Sequence, residues 1–412
     1  MTERLYYHDP FLYEFEGEIT EVVPASEINH RHGVFLDRTA FYPTSGGQVY
    51  DTGWMAPRDS NASTKVRVSE VVETEDGRVV HYIEADKPPE RGTLIRGTID
   101  ASRRRDHMQQ HSGQHVLSAA FIRLFNIPTV SFHMGDDYSS IDLDTPNLTL
   151  SQVQQAEQLA NEVVQENRAV EIKYATQDEA QTLGLRKPPR ADKEQLRLVD
   201  IQDFDLSACG GTHVRGTGQI GCILLRKFEK VRQGWRVEFV CGQRAVGIAR
   251  RDFSTLTEAA ALFSAHLWDV PEQARKALDE VRAARKASEH LLEDLAELQA
   301  VRLLAETQSE HGRKTIVRVF ADRDITFIRL LAQKLTRLES NVVVLLASTG
   351  GQASLVFAQS KGMPFDMGAL LKESLASLGG RGGGSKDLAQ GGVPNAAGVE
   401  DVLKALANKL QA

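Results

Sequence analysis

The sequence predicts an α+β protein assembled from four successive parts, on three observations. Short runs of alternating apolar and polar residues fill the first hundred positions, and helical and strand-like runs then alternate to about residue 250. A long helical stretch separates these from a last segment in which strands and helices alternate again. The expected division is a β-barrel domain over 1–100, an α+β core over 101–250, a helical hairpin or coiled-coil segment over 251–312 and an α/β domain over 313–412. With 412 residues and 41% hydrophobic composition, the chain is long enough for each part to bury apolar surface.

In the first part, "FEGEITEVV", "GVFLDRTAFY", "KVRVSEVVETEDGRVVHYIEAD" and "GTLIRGTID" carry β-branched and aromatic residues between turn residues. Asp76-Gly77, set between two alternating runs, is a tight-hairpin pair, and a small barrel or curled sheet ending near Asp100 follows. From Ser102 the run "SRRRDHMQQHSGQHVLSAAFIRLF" reads as a helix, with apolar residues gathering on one face toward its end. A second helix covers "TLSQVQQAEQLANEVV", where Ser151 and Gln154 have capping-box spacing. The runs "AVEIKYAT", "QLRLVDI", "CILLRKFEKV" and "GWRVEFV" read as the strands of the core.

After Pro271, which suits the first turn of a helix, Ala277, Val281, Ala284, Ser288, Leu291, Leu295 and Leu298 recur at alternating spacings of four and three. That seam fits one arm of a helical hairpin packed within the chain, or a homodimer interface. Beyond Gly312, "KTIVRVF", "NVVVLLAS" and "ASLVFAQ" are strand-like and alternate with helical runs. The segment "GGRGGGSKDLAQGG" is too rich in glycine for helix or strand and is expected to be a loop. Only about 20 residues follow it, so it does not read as a linker between domains. Its closely spaced glycine N–H groups, with Arg381 and Lys386, suit phosphate groups.

The net charge of −7 argues against a general polyanion binder. Residues 313–412 nonetheless hold 13 Lys and Arg against 8 Asp and Glu, a surplus of five that leaves −12 on the rest and points to a local nucleic-acid contact. Three cysteines, Cys209, Cys222 and Cys241, do not make a disulfide framework and leave thiols for a metal or for chemistry. No leader-like apolar run and no apolar stretch of roughly 18 residues is present, so a soluble, cytoplasmic protein without a membrane partner is expected.

The chemistry is concentrated in two short motifs. In "HSGQH", His111 and His115 are four apart on the expected helix and share one face. In "CGGTH", Cys209 and His213 repeat that gap on a turn that two glycines let fold tightly. Three imidazoles and a thiolate form a donor set that suits tetrahedral Zn²⁺. His107, one turn before His111, is given no role. A zinc peptidase would need a glutamate where Ser112 stands, which removes that reading. Four protein ligands ordinarily make a closed structural site, so a catalytic ion requires one loose ligand, and Cys209 is the candidate. A third stretch, "DRTAFYPTSGGQVYDTG", offers the hydroxyls of Thr39, Thr44 and Ser45, the open backbone of Gly46 and Gly47 and the Gln48 amide over an apolar floor, the ingredients of a pocket for a small polar ligand.

Together "FYPTSGGQVYDTG", "HSGQH" and "CGGTHV" resemble the three signatures of the alanyl-tRNA synthetase editing domain and its free-standing relatives, the AlaX trans-editing proteins. The "GGRGGGSKDLAQGG" segment is similar to the glycine-rich motif of the synthetase's C-terminal tRNA-binding domain, found also in the long AlaX subgroup. The resemblance covers nearly the whole chain, the helical segment being the least distinctive part. It implies hydrolysis, in trans, of the ester of tRNA(Ala) mischarged with serine and, second, with glycine. It also implies zinc held by His111, His115, Cys209 and His213, an aminoacyl pocket from Thr39 to Gln48, and tRNA gripped by the last domain through Arg381 and Lys386. Ser45 stands where many free-standing members carry the first glycine of a triplet, as in the synthetase version.

An alanine pocket cannot strongly exclude serine, which adds only a hydroxyl, or the smaller glycine, so a second site must sort the products. Thr39 is the expected discriminating hydroxyl, Gly46 and Gly47 the expected oxyanion donors, and His133 is expected to assist proton transfer or to position the substrate. Two other readings stand beside this one. One is a non-catalytic tRNA-binding protein with a structural zinc; the other is an editing enzyme for another small residue, since threonyl-tRNA synthetases contain a related core.

Overall fold

The computed structural model describes residues 2–25, 31–59, 65–87, 89–186, 195–350 and 352–411. The first hundred residues contain β1 (Glu3–Arg4), β2 (Glu14–Val23), β3 (His32–Leu36), β4 (Arg38–Thr39), β5 (Gly53–Pro57), β6 (Val66–Glu73), β7 (Val79–Glu84) and β8 (Leu94–Ile99). Along β2, Phe15, Gly17 and Ile19 are buried while their neighbours are exposed, the period of two that marks a strand with one face in a core. Six strands close into a barrel in the order β2-β3-β7-β6-β5-β8, filled by Phe15, Val34, Leu36, Phe41, Val68 and Ile83 among others. The Asp76-Gly77 pair lies in the turn between β6 and β7, with Gly77 at φ 80°.

Helix α1 (Ala101–Phe125) starts behind Asp100, whose carboxylate accepts from the Arg103 N–H, and ends at Asn126 in a left-handed conformation (φ 53°). It is followed by β9 (Thr129–Met134), β10 (Ser139–Leu143), α2 (Leu150–Glu166), β11 (Val170–Thr176), α3 (Gln177–Thr182), β12 (Gln195–Ile201), β13 (Asp205–Ala208), β14 (Ile223–Val231) and β15 (Gly234–Cys241). These strands form two antiparallel sheets, β14-β15-β10-β9 and β11-β12-β13. Helix α1 packs on β15, β9 and β10 of the first, on β13 of the second, and on α2. It is therefore buried all round from His107 to Phe121 rather than along one stripe. The capping box of α2 is formed by Thr149 and Gln152, not Ser151 and Gln154: Thr149 has the extended backbone a cap requires, and Ser151 already lies inside the helix.

The chain divides into two compact units, Met1–Glu258 and Ala259–Ala412, with α4 (Gly242–Leu262) running across the division. The second unit holds α5 (Val270–Glu306), β16 (Lys314–Phe320), α6 (Ile325–Leu338), β17 (Val342–Ser348), β18 (Ser354–Gln359), α7 (Met367–Ser377), β19 (Arg381–Gly384), β20 (Leu388–Gly392) and α8 (Val399–Gln411). Its mixed sheet has the order β16-β17-β18-β20-β19, with β16 parallel to β17 and the other pairs antiparallel. Val342, Val344 and Leu346 meet α6 and the end of α5 on one face, and Val343, Leu345 and Ala347 meet α7 and α8 on the other.

Two expectations change here. The glycine-rich segment is a β-hairpin, β19 and β20, rather than a loop. Its glycines are demanded by packing: a Cβ at Gly382 would lie 2.4 Å from the Gly391 Cα and 2.8 Å from Leu375 of α7. The heptad seam belongs to one 37-residue helix, α5, and among the described residues most of it is left exposed. Val281, Leu291 and Leu298 are 65%, 68% and 71% exposed, while burial falls on Ala296, Ala300, Leu303 and Leu304.

Candidate metal centre

The unusual feature of α1 is that its buried surface from Gln109 to His115 is almost wholly polar. His111 and His115 lie one turn apart on it, and Cys209 follows directly on β13, with His213 four residues later. One potential ligand atom from each of the four lies within 4.8 Å of all the others. His111 Nε2 and His213 Nε2 are 3.4 and 3.3 Å from Cys209 Sγ. A tetrahedral ion with bonds of roughly 2.0–2.3 Å would set such N···S separations at about 3.5 Å, so these two pairs have the spacing of ligands to a single cation and the four residues could hold one.

The outer nitrogens of the imidazoles are each engaged. His111 Nδ1 is 2.9 Å from Gln48 Oε1, and the orientation of that amide is fixed, because Gln48 Nε2 donates to Thr212 Oγ1 (2.8 Å) while the Thr212 N–H donates to Oε1 (3.0 Å). Oε1 accepts, so Nδ1 of His111 carries the proton and Nε2 keeps its lone pair for the centre. His115 Nδ1 is 3.1 Å from Asp205 Oδ2, a carboxylate also bound by Arg186 (2.6 Å) and the Ser207 hydroxyl (2.9 Å). His213 Nδ1 is 3.1 Å from Ser112 Oγ, which accepts from the Val214 N–H (3.2 Å). The Gly211 N–H points at Cys209 Sγ (3.4 Å).

Burial would raise the Cys209 thiol, but His111 and His213 beside it outweigh burial and hold it well below the ordinary thiol value. Burial, followed by repulsion from His111, brings His213 down to about 3. Asp205 would also be raised by burial, yet its bond to His115 and the Arg186 charge bring it to about 2. The sulfur is thus biased toward the thiolate and the His115 ring is oriented by a carboxylate, the forms in which these groups ligate.

The glycines of "CGGTH" act through close approach rather than through special backbone angles, since neither Gly210 nor Gly211 has a positive φ. A Cβ at Gly211 would lie 2.2 Å from His111 Cε1, whereas Gly210 has room. The turn Ser45–Gln48 does use glycine conformation: Gly46 and Gly47 have φ of 60° and 89° between the paired Ser45 and Gln48, the signature of a type I′ turn.

A cleft of about 140 Å³ opens beside the cluster, lined by His111, His115, Cys209, Gly46, Phe132 and Arg186 among others. Of the residues expected in the pocket, Gly46 lines it, Gly47 packs on Phe132, Ser45 closes the turn, and Gln48 is bound to the cluster itself. Thr39 is elsewhere. Its strand turns it into the barrel, where it lies 2.8 Å from His81 Nε2 and accepts from the Phe41 N–H. His133 is also outside: strand alternation puts Phe132 against His111, while His133 is 62% exposed on the other face beside Asp142. Arg381 and Lys386 are exposed on and beside the hairpin strands of the second unit. Sequence reasoning missed Asp205, Ser112, Gln114 and Arg186. The signal for Asp205 was strand phase, since positions 205, 207 and 209 fall on one side of β13 and its continuation.

The chain is similar to known proteins along its length. Residues 3–103 match the family described as tRNA synthetases class II (A), 196–237 the Threonyl and Alanyl tRNA synthetase second additional domain, and 312–412 the DHHA1 domain. The chain is 31% identical to the alanyl-tRNA editing protein AlaX-L of Pyrococcus horikoshii, across 100% of this chain and 99% of that protein. It is 32% identical to the alanine–tRNA ligase of Thermococcus kodakarensis across 98% of this chain, but spans only 43% of that ligase. Among solved structures, the C-Ala domain from Aquifex aeolicus alanyl-tRNA synthetase matches at 26% identity over 26% of this chain and 99% of that one, with a TM-score of 0.25.

Proposed function

This chain belongs to the alanyl-tRNA editing family of AlaX-L, and from that membership we propose that it is an aminoacyl-tRNA deacylase that hydrolyses, in trans, the ester of mischarged tRNA(Ala). We further propose that the esters removed are chiefly seryl and, second, glycyl. The observation that carries the reading is the convergence of His111, His115, Cys209 and His213 at the wall of a small cleft, with the Ser45–Gln48 turn tied to the same cluster through Gln48.

Zn²⁺ is the proposed occupant of the cluster, since three imidazoles and a low-pKa thiol form its preferred donor set; when bound it supplies Lewis-acid polarisation and a more acidic water. The side chains around it do the positioning. Gln48 fixes His111, Asp205 fixes His115, and Ser112 contacts His213, so the donors are preorganised. Gly46 brings backbone to the cleft wall with no side chain in the way, which suits it to meet a developing oxyanion. Cys209 lines the cleft and is the proposed loose ligand. The volume of about 140 Å³ suits a small aminoacyl group and falls well below the roughly 300–1,000 Å³ of drug-sized ligand pockets.

For the second unit we propose tRNA binding by the 313–412 domain, with exposed Arg381 and Lys386 against phosphates, and homodimerisation through the exposed seam of α5 within the 251–312 segment. The 1–100 barrel and the 101–250 core would then form the editing body. The test is release of the amino acid from seryl-, glycyl- and alanyl-tRNA(Ala) by purified protein of measured zinc content. Faster release from seryl than from alanyl ester is expected. Release from none of them would favour a tRNA-binding protein whose four-ligand zinc is structural.

A further inference from the structure

The hydroxyls that line the cleft have already spent their protons. Ser131 Oγ donates to Asp142 Oδ2 (2.5 Å), Ser207 Oγ to Asp205 Oδ2 (2.9 Å) and Thr129 Oγ1 to Ser118 Oγ (2.7 Å), and Arg186 is committed to Asp205. The side-chain hydroxyls of this wall therefore have acceptor capacity, not protons, left for a ligand. The best placed is Gln114, on α1 between the two ligating histidines: it lines the cleft, is only 6% exposed, and donates its Nε2 to Ser118 Oγ at 2.9 Å. Its amide oxygen has no protein partner among the described residues. Ser118 is in turn held by Thr129 of β9, so the amide is anchored from two elements and its oxygen is preorganised.

We infer that Gln114 is the specificity-determining residue of the cleft, its Oε1 accepting the hydrogen bond of the seryl hydroxyl. This rests on the deacylase reading above. The α-ammonium is common to seryl, alanyl and glycyl esters and cannot tell them apart. A neutral acceptor that a bound ester closes off from water rewards an added O–H and is left unpaired by an ester without one, a cost that alanyl and glycyl esters must bear. Thr39, the hydroxyl expected in this role from the sequence, faces His81 and Phe41 inside the barrel instead.

The test uses the full chain with its zinc and two esters of tRNA(Ala), seryl and 2-aminobutyryl, which differ by replacement of the hydroxyl with a methyl group on the same carbon. Wild type prefers seryl. Gln114→Met lowers the ratio of seryl to 2-aminobutyryl kcat/KM by roughly 10- to 100-fold, and Ser118→Ala, which keeps Gln114 but removes its anchor, lowers it less. Binding of the non-hydrolysable 3′-amide analogues shifts in the same direction. Zinc content of both variants separates loss of discrimination from loss of the site, and Ser118→Ala carries the test if Gln114→Met does not fold. An unchanged ratio in the folded variants, with wild type still preferring seryl, overturns the inference and leaves the deacylase reading standing. Hydrolysis of neither ester by zinc-loaded wild type removes both.

Discussion

Two buried polar clusters lie within Met1–Glu258, and they are built on opposite rules. Around Arg104, fully buried at the start of α1, every nitrogen ends on a protein acceptor: Nε and Nη2 on Asp51, Nη1 on the Pro10 carbonyl (2.7 Å), Nη2 also on the Ala40 carbonyl (2.5 Å). Asp51 takes the Tyr42 N–H as well (2.7 Å). Two turns further along the same helix, the four donors of the His–Cys cluster aim at one another, with their outer atoms tied back to the protein. The first cluster is complete as it stands and holds the barrel against α1. The second gathers lone pairs that repel one another until a cation is shared between them. Saturation, more than burial, separates structural polar groups from functional ones.

The largest effect that would break this contrast is on the second cluster. Cys209→Ala should lower zinc affinity by more than the roughly 10- to 100-fold typical of losing an outer-shell partner, and deacylation should fall to background. The metal-free protein should keep its melting temperature within a few degrees, since without the ion the sulfur's contacts are long ones, to the Gly211 N–H (3.4 Å) and to the imidazoles of His111 and His213. Metal titration and calorimetry check both halves, and retained zinc and activity would remove Cys209 from the site. The matching change in the first cluster, Asp51→Ala, leaves a buried guanidinium without its counter-ion and should cost about 3–5 kcal/mol in chemical denaturation, comparable with much of a domain's stability. A cost under about 1 kcal/mol would mean that Arg104 is satisfied by carbonyls alone.

How far each cluster could be read in the sequence follows from the same contrast. His111, His115, Cys209 and His213 were legible because ligand chemistry restricts residue type and spacing so tightly. Arg104 and Asp51 carried no such mark, because any carboxylate that the fold brings near would do. His133 was misplaced by strand phase, since a shift of one residue decides whether Phe132 or His133 faces His111 and a short motif cannot set that phase; Thr39 was misplaced by its element, since its hydroxyl is taken up by His81 and the Phe41 N–H. The barrel was legible from alternation and the Asp76-Gly77 turn. The hairpin of β19 and β20 was not, because its glycines answer to Leu375 and to the neighbouring backbone, contacts that composition does not encode. The α5 seam shows the reverse failure, a sound heptad whose face is mostly uncovered among the described residues.

The two cysteines nearest α1 sharpen the comparison at smaller scale. Cys241 is buried, its thiol pushed well above the ordinary value by burial, and its sulfur rests where a Cβ on Gly113 would lie 2.3 Å away. Gly113 stands between the ligating histidines, so its missing side chain lets β15 press on α1 at the level of the site. Gly113→Ala should destabilise by about 1–3 kcal/mol, as overpacking does, and should weaken zinc binding by displacing the helix. Adding Cys241→Ala should recover much of both losses. Additive losses in the double variant would show that the sulfur and the helix do not share this contact.

The smallest predicted effect concerns His81, a third polar group of the saturated kind. Its Nδ1 faces the Val34 carbonyl (3.0 Å), which can only accept, so Nδ1 carries the proton and Nε2 takes the hydrogen of Thr39. Burial lowers its pKa to about 4, against the opposing pull of the Val34 carbonyl. The unfolded chain therefore binds a proton before the folded one does. The stability His81 contributes as a neutral group is fully present above its unfolded value of 6.5 and is lost as pH falls toward about 4. At pH 5.5 the loss should be about 1 kcal/mol relative to pH 7.5. His81→Gln, which can donate to Val34 and accept from Thr39 without titrating, should lack that increment. Denaturation of the two proteins at both pH values gives the difference, in which the titrating histidines of the metal cluster cancel. An identical pH response in the two would show that His81 already titrates like a solvated imidazole, and the rule that saturated clusters are electrostatically closed would then fail inside the barrel.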